Sequence, residues 1–111
     1  MNEKNTQGAL TEGVYLILVS MLTPRHGYAV MQNIESLTHG RVNLGAGTLY
    51  GAIQSLLEKG WIHAVGHSTE SRKKQYVITH QGKDVLHREM LRLGELLKIG
   101  MNETEGTNNA N

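Results

Sequence analysis

Three groups of residues invite a chemical reading. The first is a set of six histidines. His63 and His67 stand four apart, but on a strand-to-turn stretch, where that spacing does not converge as it would on a helix. His80 and His87 stand seven apart at a helix start. The chain has no cysteine and no clustered carboxylates to complete a ligand set, so neither metal nor cofactor is expected. The second group, Gly45-Ala46-Gly47-Thr48-Leu49-Tyr50-Gly51, imitates a dinucleotide loop. Tyr50 takes the third glycine's place in G-x-G-x-x-G, and no strand precedes it, so that reading fails. The third is Arg72-Lys73-Lys74, a run of cations suited to phosphate oxygens, whose bland alternative is a solvated turn. No nucleophile–base–acid set or paired carboxylates stand out, and an enzyme is not expected.

These residues need elements to position them. The chain has 111 residues, enough for one domain with a thin core, and 39% of them are hydrophobic. Phenylalanine is absent, so Leu, Ile, Val and Met must fill the interior. Residues 1–8 are polar and read as a flexible N-terminus. A first helix is expected from Thr11 to Leu22, apolar nearly all round and ending at Thr23-Pro24. A second starts near Gly27, with Tyr28, Val30, Met31, Ile34 and Leu37 at helical spacing and Gly40 as its stop. A third opens at Gly45-Ala46-Gly47-Thr48, carries Leu49, Ile53, Leu56 and Leu57 as its apolar stripe, and closes at Gly60; Gln54 and Ser55 fall off that stripe. Trp61–Val65 and Gln75–Thr79 read as two strands joined by a polar, basic connector. Thr79 then caps a last helix from about His80 to Gly100. Leu86, Met90, Leu93 and Leu97 form a heptad-like seam on it. Residues 101–111 read as a disordered tail.

Helix–helix–helix–strand–strand–helix describes a mainly α chain with a small β-hairpin: a winged helix-turn-helix over residues 9–80, then a dimerisation helix over 81–100. Such a module suits duplex DNA. The third helix fits a major groove about 12 Å wide, and the hairpin's cations reach the backbone beside it. Charge agrees in direction. Residues 25–83 carry seven Lys and Arg against three acids, while both flanks are acidic and the whole chain is +1. The N-terminus lacks signal-peptide order, and the longest apolar run, Val14 to Leu22, is far too short for a bilayer span, so a cytoplasmic chain without a membrane partner is expected.

Gly47-Thr48-Leu49-Tyr50-Gly51-Ala52-Ile53 with Leu56-Leu57-Glu58-Lys59-Gly60-Trp61-Ile62 resembles the PadR family of transcriptional regulators. So do His26-Gly27-Tyr28 and Lys74-Gln75-Tyr76-Val77-Ile78-Thr79-His80-Gln81-Gly82. The three motifs occur in family order over about residues 10–100, and the short end resembles the compact subfamily with one C-terminal helix. The loop Ser68 to Ser71 departs from the family by lacking a Gly-Arg-Pro stretch. The resemblance implies a homodimeric repressor on a palindromic operator, often answering to a small aromatic or lipophilic effector. The expected DNA contacts are Tyr28, Gly47, Thr48, Tyr50 and Gly51, with Arg72, Lys73 and Lys74 on phosphate. Trp61 is expected to pack under the wing.

The last helix is too long for the winged module to cover. Val14, Leu86, Met90, Leu93 and Leu97 are therefore expected at a dimer interface, the last helix of one subunit against the first of the other. Two readings of that interface stand side by side. Leu10, Val14, Met90 and Leu93 line a cleft for a small hydrophobic effector, or the interface is closed. From other classes, a winged protein–protein module predicts no salt-dependent duplex affinity, and a lipophilic-ligand carrier or metal sensor predicts a stoichiometric ligand without DNA.

Overall fold

The computed structural model describes residues 8–66 and 74–110, with side chains through residue 106. Four helices and three short strands follow one another as α1 (Glu12–Ser20), β1 (Arg25–His26), α2 (Gly27–Leu37), α3 (Ala46–Lys59), β2 (Ile62–Val65), β3 (Gln75–Ile78) and α4 (His80–Ala110). This is the expected mainly α architecture with a β-hairpin.

Local chemistry sets each boundary. Thr11 caps α1, its hydroxyl accepting from the Val14 amide at 3.1 Å. The helix stops two residues short of the expected Leu22. Met21 closes it, its amide shared between the Ile17 and Leu18 carbonyls, and its side chain is fully buried. Gly60 ends α3 as expected, at φ +75°, with the Trp61 amide reaching back to the Leu56 carbonyl at 3.0 Å. The end of α2 differs in detail. His39, not Gly40, takes the first left-handed position (φ +53°), while the Gly40 amide closes the motif on the Glu35 carbonyl at 2.8 Å. Thr38 then ties the following turn, accepting from the Val42 amide at 3.0 Å. Arg41 pairs with Glu12, which holds the Glu12 carboxyl below its ordinary range.

The sheet has one strand more than expected. Its order is β1-β3-β2, all antiparallel, with Arg25 opposite Tyr76 and Ile62 opposite Ile78. Two residues are too few for any period-2 signal. The core joins Ile17, Leu18 and Met21 of α1 to Val30 and Ile34 of α2, then Leu49, Ile53 and Leu56 of α3. Ile62, Tyr76 and Ile78 close it from the sheet, Val85 and Leu86 from α4. Trp61 packs half-buried against this core, with the Lys59 ammonium 4.8 Å from its ring centroid.

Two expectations about α4 need correction. Residues 101–110 are helical rather than a disordered tail, and Gly100 is no stop. Among the described glycines only Gly40, Gly60 and Gly66 have positive φ, so Gly100 and Gly106 continue the turn. A nucleated helix needs just one pair of dihedrals per added residue, and no proline interrupts it. Leu86, expected at a dimer seam, is instead 2% exposed in the core of its own chain. Residues 1–7, expected to be flexible, lie outside the described residues.

Candidate nucleic-acid interface

The buried side of α3 is Leu49, Ile53 and Leu56. At 100° per residue the opposite side is centred on Gly47, Gly51, Gln54 and Glu58, flanked by Thr48 and Ser55 on one edge and Tyr50 on the other. All seven are exposed. A Cβ added at Gly45, Gly47 or Gly51 would meet nothing within 4 Å. No neighbouring helix of the chain explains these glycines, although one inside a helix costs about 1 kcal/mol relative to alanine. What the arrangement offers is a bare ridge on which backbone can approach an outside surface closely.

Tyr50 has a second role that its spacing did not reveal. Its ring lies over Gly27, where a Cβ would come 2.5 Å from the phenol oxygen and 2.7 Å from Cζ. Gly27 is buried while Tyr50 remains 40% exposed. The phenol thus seals the α2–α3 junction on one side and faces solvent on the other. Tyr76 is buried in the sheet, between Arg25 of β1 and Ala64 of β2; burial, with a smaller contribution from Tyr50, raises its pKa above the ordinary tyrosine value. Tyr28 projects from the first turn of α2 and is 65% exposed. Lys74 is exposed at the entry to β3, its carbonyl 3.3 Å from His26 Nδ1. Arg72 and Lys73 lie outside the described residues.

Five hydrogen bonds hold this face in place. The Asn33 amide donates to the buried Ser20 hydroxyl at 3.0 Å, locking α2 to α1. The Ile78 amide donates to the Met21 carbonyl at 2.8 Å, docking β3 on the end of α1. Thr79 joins three elements: its hydroxyl donates to the Gly60 carbonyl at 2.7 Å and accepts from the Gly82 amide at 3.0 Å, while its own amide bonds the Trp61 carbonyl. Gly82 permits that approach, since a Cβ there would fall 2.1 Å from the Trp61 carbonyl oxygen.

The residues expected at an interface or effector cleft divide in two. Leu10 and Val14 are half-buried against the core. Met90, Leu93 and Leu97 are exposed, and so is every described side chain from Leu93 to Gly106. Sequence reasoning missed the side chain that joins the two groups. Glu89 is buried, accepts from Arg92 at 2.8 and 2.6 Å, and accepts from the Leu10 amide at 3.2 Å. The Arg92 bonds and the Leu10 amide hold its carboxyl below the ordinary range against the effect of burial. Among the described residues no group of three or more His, Cys, Asp or Glu could hold a metal ion. No helix among them is long and apolar enough to cross a membrane.

The PadR-like transcriptional regulator family model matches residues 16–88, from within α1 to the early turns of α4. The chain belongs to that family. A transcriptional regulator from Clostridium thermocellum has the same fold, with a TM-score of 0.67 and 23% identity over 83% of this chain and 90% of that one. A PadR family transcriptional regulator from Eggerthella lenta is 28% identical, with a TM-score of 0.62 over 82% of this chain and 79% of the other. One from Clostridium difficile is 25% identical at the same TM-score, over 82% of this chain and 96% of its own. No curated protein matches the sequence.

Proposed function

We infer that this PadR-like chain is a repressor that binds a palindromic operator as a homodimer. The observation that carries the reading is the outward face of α3: exposed, glycine-lined and without a packing partner from another element among the described residues. Thr48 and Tyr50 supply hydroxyls for phosphate or base edges from its first turns. Gly47 and Gly51 let the backbone close on the groove. Tyr28 meets the backbone from α2. Arg72, Lys73 and Lys74 neutralise phosphates beside the groove, releasing counterions.

Dimerisation is assigned to α4. Met90, Leu93, Leu96, Leu97, Ile99 and Met101 are large apolar side chains left exposed on its outer part, and a second copy is the partner that would cover them. A two-fold pair sets two α3 helices roughly 34 Å apart, one turn of DNA. A small hydrophobic effector between Leu10 and Val14 of one subunit and Met90 and Leu93 of the other would change that spacing and shift the population away from the DNA-bound form. Nothing in the arrangement calls for an enzyme.

Fluorescence anisotropy on a duplex from the region upstream of the protein's own coding sequence tests the assignment. Tyr50→Phe keeps the cover over Gly27 and removes only the hydroxyl, so specific affinity should fall with the fold intact. Lys74→Ala should weaken all sequences alike and lower the slope of log affinity against log salt by about 1. Wild-type affinity and slope in both variants would remove these residues from the interface.

A further inference from the structure

The geometry points to Gln54 as the residue that reads a base, an adenine in the major groove. This deepens the reading of α3 as the groove helix and rests on it. Gln54 is exposed on the centre line of the outward face, in line with Gly47 and Gly51. Those glycines leave the centre line bare over the two turns before it, so a groove can approach as far as the backbone between the flanking Thr48 and Tyr50. The next side chain on the line is Gln54. Of the residues on that line it alone pairs a donor with an acceptor: the glycines have no side chain, and Glu58, when ionised, only accepts.

The amide has the matching pattern. Adenine presents N7 as acceptor and N6–H as donor in the major groove, and a glutamine amide meets both at once. Gln54 Nε2 lies 3.5 Å from a Glu58 carboxylate oxygen one turn on. The amide nitrogen carries two hydrogens. With one turned to Glu58, the other remains for adenine N7, and Oε1 remains for the N6 amino group. Glu58 thus acts as a positioning residue: it favours the amide rotamer with nitrogen toward the helix C-terminus, and by its charge it disfavours phosphate at this point. Ser55, on the edge of the face, has a hydroxyl that pairs with any base and cannot impose this preference.

The test is selection of bound duplexes from a random-sequence pool by the intact protein, for wild type, Gln54→Ala and Gln54→Glu. Circular dichroism confirms the fold, which an exposed site should leave unchanged. Wild type should enrich a half-site with adenine at one position. Gln54→Ala should level that position, losing roughly 5- to 150-fold of discrimination, with the rest of the half-site kept. Gln54→Glu should turn the preference there toward cytosine, whose N4 amino group a carboxylate accepts from. An unchanged adenine preference in both variants would overturn the assignment to Gln54 and leave α3 as the groove helix. Failure of wild type to enrich any sequence would overturn both.

Discussion

Glycines at two positions on this chain should answer differently to the same substitution. Gly82→Ala puts a methyl group into the Trp61 carbonyl, and overpacking of this kind costs about 1–3 kcal/mol or more. Gly51→Ala meets nothing, and should stabilise the isolated protein by about 0.5–1 kcal/mol through helix propensity. If the ridge is the DNA face, the same variant binds operator more weakly. Thermal melts beside anisotropy titrations would show the opposed signs; a Gly51→Ala protein that melts higher and binds as well as wild type would mean that no surface approaches there. His39 is the converse case, a side chain in left-handed backbone at φ +53°. His39→Gly should raise stability by about 1 kcal/mol, read by urea denaturation. The outward position of Gln54 was legible in the sequence, since it falls off the apolar stripe. The cover of Tyr50 over Gly27 was not, because local spacing does not say how two helices meet.

Among the elements, α2, α3 and the hairpin follow from periodicity and from Gly60 and Thr79 as end signals. The two-residue β1 leaves no pattern to read. The extent of α4 was misjudged because a polar composition resembles disorder until a helix is already nucleated before it. Glu89 was invisible for another reason: a charged residue beside an apolar seam looks solvated, and only the return of the chain to Leu10 shows it buried. That carboxylate joins the start of the described chain to α4, and its contribution depends on pH. Its folded pKa is lowered, so the unfolded chain binds the proton more readily on acidification. The contribution is complete above the unfolded value of about 4.3 and disappears as pH falls through the lower folded value. Glu12, held low by Arg41 at the surface, acts in the same direction. Glu89→Gln should lose stability near neutral pH and flatten the acid limb of the stability profile. Parallel profiles for wild type and variant, followed by urea midpoints, would show that the carboxylate is not the group responsible.

The molecule measures 63 × 40 × 21 Å, because α4 extends beyond the winged body. Thirty-one residues of helix span about 46 Å, and the part beyond Arg92 is exposed throughout its described side chains. A lone chain of this shape leaves a large apolar surface in water. Leu97 is 65% exposed, so Leu97→Glu should fold as wild type does. It should nevertheless sediment as a monomer and lose operator affinity, since two groove helices no longer act together. The central claim joins both ends of the molecule: α4 pairs two chains so that two α3 helices reach one face of a duplex. Sedimentation equilibrium of the protein mixed with its selected duplex, in low-salt buffer, tests this most directly. Two chains per duplex is the expected stoichiometry, with Leu97→Glu reduced to weak single-chain binding. A single chain per duplex, or free duplex beside unassociated monomers, would contradict it.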